Sequence, residues 1–97
     1  MIAGFGDKTT EDIYVGTNSR AARSIPRDIW PIVRRKLDMV NAAAALQDLR
    51  VPPANRLEKL KGDLAKFHSI RVNAQYRIVF IWSDGHAKDV QVLDYHD

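Results

Sequence analysis

An α+β fold is what this sequence predicts: a short N-terminal strand and two helices packed on a three- to four-stranded antiparallel sheet formed by the C-terminal half. Three observations carry that expectation. Trp30, Val33, Leu37, Val40 and Ala44 recur at spacings of three and four, the pattern of a helix with one apolar face. The run Tyr76 to Trp82 is apolar at every central position, as a strand covered on both faces requires. Ser83-Asp84-Gly85 then separates it from the alternating Val90-Gln91-Val92-Leu93, which reads as a hairpin turned at a glycine.

Each element follows in order. Ile2 to Phe5 is a short strand limited by Gly4 and Gly6. Thr9 or Thr10 caps a first helix, because Glu11 and Asp12 then occupy its electropositive first turn, and Gly16 ends it. Residues 17–24 are polar and basic and read as a loop. The main helix starts near Asp28 as its cap, because Pro31 is tolerated only in a first turn. It continues through Ala45, with a further turn at 46–49, and Pro52-Pro53 stops it. Residues 67–72 and 76–82 are strands joined by the turn Asn73-Ala74-Gln75, and residues 88–95 form the last strand. The sequence shows no repeat, low-complexity tract or internal boundary, so residues 1–97 are read as one domain.

Composition narrows the function classes. The chain has 97 residues, no cysteine and a formal net charge of +3. Without cysteine there is no disulfide framework and no thiolate chemistry, which suits a cytoplasmic setting. The longest apolar run, Ile78 to Trp82, is too short to span a bilayer, and the N-terminus has no basic segment followed by an apolar one. Residues 56–77 hold six basic side chains, Arg56, Lys59, Lys61, Lys66, Arg71 and Arg77, against Glu58 and Asp63, a local excess larger than that of the whole chain. Such a cluster is either a solvated face or a polyanion contact. Arg77 shares its pleat parity with Val79 and Ile81. A guanidinium beside a buried strand calls for a carboxylate, here Asp94 or Glu58, or for a phosphate.

The chain ends on Asp94-Tyr95-His96-Asp97, polar groups at the exit of a strand, which are either a ragged tail or a site held by the sheet. His96 titrates near neutrality and suits acid or base work. His68 has the parity of a core-edge residue, and His86 follows a turn. No pair of histidines has metal-ligand spacing, no serine lies in a nucleophile elbow, and no glycine loop cradles phosphate. What remains is a metal-free and cofactor-free set of Glu58, Asp94, Tyr95 and His96 with several fixed cations. That set suits transphosphorylation of RNA, in which the 2′-hydroxyl of the substrate is the nucleophile.

Three segments carry a family resemblance. They are Pro52-Pro53-Ala54-Asn55-Arg56-Leu57-Glu58-Lys59-Leu60-Lys61-Gly62-Asp63, Ser69-Ile70-Arg71-Val72-Asn73-Ala74-Gln75-Tyr76-Arg77-Ile78-Val79-Phe80, and Asp94-Tyr95-His96. Together they resemble the HigB-type toxins of the RelE/ParE superfamily, over nearly the whole chain. The resemblance implies a RelE-like fold and a type II toxin–antitoxin toxin that enters the ribosomal A site and cuts mRNA without a metal. It implies a helix-turn-helix, HigA-like antitoxin, operator DNA reached only through that antitoxin, and no membrane. By position, Lys61 and Arg77 match phosphate-binding cations, with Arg71, Lys59 and Arg56 near them in sequence. Asp94, Tyr95 and His96 match the C-terminal active-site residues. Glu58 stands where some members carry histidine, so it is either the base or an ion-pair partner of Arg56 or Arg77. The segment 64–68 departs from the family pattern. Arg20, Arg23, Arg34, Arg35 and Lys36 are the expected ribosomal RNA contacts. Two other readings of the same scaffold are a ParE-like, non-enzymatic gyrase inhibitor and a degenerate toxin that only binds its antitoxin as corepressor.

Overall fold

The computed structural model of the protein describes residues 1–95. Helix α1 spans Lys8–Val15 and α2 spans Trp30–Ala42; strands β1 Glu58–Lys59, β2 His68–Arg71, β3 Tyr76–Ser83 and β4 His86–Asp94 follow. The four strands form one antiparallel sheet in the order β1-β2-β3-β4. The helices cover one of its faces. Ile13, Val33, Leu37 and Val40 meet Ile70, Ile78, Phe80, Val90 and Val92 there in one buried cluster.

Asp7, rather than Thr9 or Thr10, caps α1: its Oδ1 accepts the Thr10 N–H at 2.9 Å. Both threonines lie inside the helix and make tertiary bonds instead. Thr9 donates to the Ala21 carbonyl at 3.1 Å, and Thr10 Oγ1 accepts the Val92 N–H at 2.9 Å. Gly16 ends the helix at φ 87°, a left-handed value that glycine adopts without strain.

Helix α2 departs from expectation at both ends. Arg27–Ile29 is a 3-10 turn that runs into Trp30, so Asp28 does not cap the helix by its side chain. Pro31 does sit in the first turn. The helix stops at Ala42, three residues before the expected Ala45, although alanine favours helix. The reason is a competing acceptor: Asp48 Oδ2 takes the N–H groups of Ala44 and Ala45 at 2.9 and 3.1 Å. Residues Leu46–Arg50 then form a separate 3-10 turn.

In the sheet, Asn73 closes the β2–β3 turn by accepting the N–H groups of Gln75 and Tyr76 at 2.9 and 2.7 Å. The β3–β4 turn places Asp84 and Gly85 at φ 52° and 79°, the geometry that a two-residue hairpin favours. Strand β4 begins at His86, two residues earlier than expected. It carries a bulge opposite Val79–Ile81, with Asp89 at φ 49°. The bulge explains why its buried residues are Ala87, Val90 and Val92, spaced three and then two.

Residues 1–6 run parallel along the outer edge of β4. Ile2 bridges Ala87 and Phe5 bridges Val90, which makes the expected first strand two isolated bridges. Four backbone hydrogen bonds of 2.7–3.1 Å link this segment to Ala87 and Val90. With Thr10 on Val92, the edge of β4 is closed to further strand pairing.

Candidate functional site

The site is built on the sheet face turned away from the helices. Arg77 stands second in β3 and pairs with Arg71 on one side and Leu93 on the other. It is 6% exposed, although it carries a full charge. Its guanidinium leans diagonally across β2: Nε donates to Ser69 Oγ at 2.8 Å, and Nη2 donates to the Arg56 carbonyl at 2.7 Å. Both acceptors are neutral, where the sequence suggested Asp94 or Glu58. Register is the reason, since Ser69 lies one pleat along from Arg71 on the same face. The Arg56 carbonyl is aimed there because Arg56 adopts φ 47°, ψ 56° after the 3-10 turn Pro53–Asn55.

Pleat alternation sorts the other candidates. Glu58 is opposite Ser69 and lies on the face of Arg77, whereas Lys59 is opposite His68 on the helix-facing side. Glu58 is exposed and has no ion pair with Arg56 or Arg77 among the described residues. Arg71, directly opposite Arg77, donates to the Asn73 carbonyl at 3.1 Å. Two cations facing each other across a sheet are unfavourable by about 0.2–1 kcal/mol unless an anion joins them. Lys61 is exposed at the start of the 3-10 turn Gly62–Leu64. Arg56 is also exposed.

The end of β4 is tied to the start of β3. Asp94 is opposite Tyr76 and accepts the Gln75 side-chain amide at 2.9 Å, and the Tyr95 N–H donates to the Gln75 carbonyl at 2.9 Å. The tail is therefore held by the sheet through Tyr95. By alternation Tyr95 shares the face of Arg77 and Leu93, and Asp94 falls with Tyr76 on the other. His96 and Asp97 lie outside the described residues.

The five basic residues expected as ribosomal RNA contacts divide into two groups. Arg20 and Arg35 are exposed. Arg23 folds back on Asn18, donating to its carbonyl at 3.0 Å. Arg34 Nε donates to the Ile13 carbonyl at 2.9 Å, and its guanidinium lies 5.9 Å from the Trp30 ring centroid, so it ties α1 to α2. Lys36 donates to Asn55 Oδ1, and burial holds its ammonium below the usual lysine pKa, with a further contribution from Arg35.

Sequence reading passed over two residues of this site. Ser69 is fully buried, and Asn55, also 0% exposed, donates to the Leu49 and Val51 carbonyls at 3.2 and 3.4 Å. The shared pleat parity of Ser69 and Arg71 beside the apolar run of β3 was a usable signal. Asn55, in a proline-rich turn, gave none. Among the described residues no three His, Cys, Asp or Glu side chains are grouped to hold a metal, and no helix is long and apolar enough to cross a membrane. Chemically, the face offers a fixed guanidinium, a second one beside it, an exposed carboxylate and a phenol. That set of groups is chemically able to hold an anion beside acid–base groups.

Comparison with known proteins finds relatives in sequence and in fold. The family model for HigB-like toxins, described as the RelE-like toxin of the type II toxin–antitoxin system HigB, matches residues 3–96. The chain is 45% identical over 96 residues to Toxin HigB-1 of Vibrio cholerae serotype O1, covering 99% of this chain and 98% of that protein. It is 42% identical over 83 residues to an uncharacterized protein of Haemophilus influenzae, covering 86% of this chain and 77% of that one. In structure it is similar to a chain of the YoeB-YefM complex from Staphylococcus aureus, with a TM-score of 0.60 over 100% of this chain and 99% of that one; at 18% identity this likeness concerns the fold. With nearly its whole length matched, the chain belongs to the HigB family of RelE-like toxins of type II toxin–antitoxin systems.

Proposed function

We propose that this toxin is a ribosome-dependent, metal-independent mRNA endoribonuclease, one domain acting in the cytoplasm and held inactive by a HigA-like helix-turn-helix antitoxin through which alone it reaches operator DNA. The observation that carries this reading is Arg77, a buried guanidinium hydrogen-bonded to neutral groups with Arg71 directly across from it. Such a pair suits a phosphodiester better than it suits a stable sheet.

In the proposed reaction Lys61 and Arg77 hold the scissile phosphate, with Arg71 and Arg56 along the strand of RNA, while Lys59, on the helix-facing side of the sheet, is left out of that contact. Glu58 and His96 move the protons. The base takes the 2′-hydroxyl proton and the 2′-oxygen attacks phosphorus. The bond to the 5′-oxygen breaks, and the acid protonates that leaving oxygen. The products are a 2′,3′-cyclic phosphate and a 5′-hydroxyl. The cations oppose the extra negative charge of the phosphorane, which is the largest electrostatic demand of the step. Tyr95 hydrogen-bonds or stacks, and Asp94 orients its neighbours. Of the basic residues expected on ribosomal RNA, Arg20, Arg23 and Arg35 are exposed and form the proposed contact, while Arg34 and Lys36 are held by internal bonds to Ile13 and Asn55.

The test is mapping of mRNA 5′ ends on purified ribosomes programmed with a defined message. Cleavage by the wild type, and none at a 2′-deoxy nucleotide placed at the cut site, is the expected result. Cleavage that persists at the 2′-deoxy position sinks the 2′-hydroxyl route. Growth arrest with an SOS response and intact mRNA would transfer the protein to gyrase inhibition.

A further inference from the structure

We infer that Ser69 is a positioning residue for Arg77, locking its guanidinium before substrate arrives. This rests on the phosphate role proposed above for Arg77. Ser69 is 0% exposed in β2, between Glu58 on β1 and Val79 on β3, where an aliphatic side chain would fill the space without a desolvation cost. The hydrogen bond that satisfies its hydroxyl is the 2.8 Å bond from Arg77 Nε. That bond fixes the rotation of the guanidinium plane.

The Arg56 carbonyl, 2.7 Å from Nη2, fixes its far corner. That carbonyl is aimed from a left-handed residue that is not glycine, a conformation that costs stability and so marks a constrained spot. The Nη1 group, by contrast, has no hydrogen-bond partner among the described residues and is not sealed from solvent. Two sides of the fork are thus anchored on neutral acceptors, and one is left to bind an anion. Anchoring on neutral groups matters, because a carboxylate in place of Ser69 would hold the side chain equally well and cancel its charge.

The consequence is kinetic. A pre-oriented arginine loses little side-chain entropy when it meets the phosphorane, so its contribution falls in the transition state. Ser69→Ala removes one oxygen and leaves the strand and Arg77 in place. We expect kcat for cleavage of ribosome-bound mRNA to fall by about tenfold or more, with apparent KM changed by less than about twofold. Ser69→Thr, which keeps the hydroxyl on a residue that favours strands, restores most of that loss.

A second measurement is independent of activity. In the isolated protein the Arg77 Nε–H should give a sharp, slowly exchanging side-chain NMR signal in the wild type and in Ser69→Thr, and an exchange-broadened one in Ser69→Ala. An Arg77 signal that stays sharp in Ser69→Ala, or a kcat unchanged by the substitution, overturns the inference. A wild-type protein that cleaves no mRNA overturns the ribonuclease reading instead, and the NMR comparison still decides whether Ser69 positions Arg77.

Discussion

His68 stacks on Phe80 with ring centroids 6.3 Å apart, and its Nδ1 is buried without a hydrogen-bond partner among the described residues. Burial lowers its pKa below the usual histidine value, and the charge of Lys59 across the strand pair lowers it further. The folded state therefore binds fewer protons than the unfolded chain in the window just below pH 6.5. Stability is complete above that value and is lost as the pH falls through the depressed folded value. We expect a lower Tm at pH 5 than at pH 7.5, and a smaller drop in His68→Phe, which keeps the stacking and removes the titrating ring. Equal drops in the two proteins would show that His68 does not govern this window. Asp12, whose pKa is lowered mainly by its hydrogen bond from Ser19, acts on the same principle only at more acidic pH. Arg77 gives the second prediction at this scale. Arg77→Lys keeps a charge but loses the fork that spans Ser69 and the Arg56 carbonyl, and mRNA cleavage should fall by about 10²-fold or more. Cleavage within a few-fold of wild type would remove Arg77 from the chemistry. The parity of Arg77 was legible in the sequence, because period-two alternation is local. Its partners were not, because they depend on the β2–β3 register and on a left-handed turn twenty-one residues away.

Strand β4 shows why boundaries and faces are harder to read than the existence of an element. Its alternation is clean only from Val90 onward, because the bulge at Asp89 shifts the register by one residue. Nothing in Lys88-Asp89-Val90 announces a bulge except an aspartate, a residue that tolerates the left-handed region. A β-branched side chain there does not. Asp89→Val should destabilise the protein by about 1–2 kcal/mol, while Asp89→Gly should be close to neutral, as measured by urea unfolding. If valine is accepted at no cost, the strain argument for this position fails. The end of α2 carries the same lesson. The alanine run promised more helix, and the decision fell to the carboxylate of Asp48, which offers Ala44 and Ala45 bonds outside the helix. Asn55 then secures the chain on its way to β1 by bonding Leu49, Val51 and Lys36 together. Truncation of Asn55 to alanine leaves buried carbonyls unpaired and should cost about 2–3 kcal/mol, on the order of 10 °C in Tm for a domain of this size.

At the scale of the molecule, the fold settles how a small basic protein distributes its charge. One edge of the sheet is closed by residues 1–6 and Thr10, and the helices fill one face, which leaves the other face for Arg71 and Arg77. The class of fold was legible because it follows from two periodicities and two turns. The use of each cation was not, because charge alone does not say whether a side chain points into the chain or away from it. Of the basic residues in the N-terminal half, Arg34 and Lys36 are committed to internal bonds with Ile13 and Asn55, whereas Arg20 and Arg35 are exposed. The proposed ribosomal contact should divide in the same way. Each lysine or arginine that neutralises a phosphate adds about 0.7–0.9 to the slope of log affinity against log salt. Arg35→Gln should therefore reduce the slope for ribosome association by about that amount and leave Tm near the wild-type value. Lys36→Met keeps the aliphatic stem and removes an ammonium whose hydrogen bond is spent on Asn55, so it should alter Tm while leaving the slope unchanged. Association measured from 50 to 300 mM salt, roughly the range over which such contacts weaken, checks both variants in one series. Equal slope losses in the two would mean that Lys36 releases Asn55 on the ribosome. An unchanged slope in Arg35→Gln would take the exposed face of α2 out of the contact altogether.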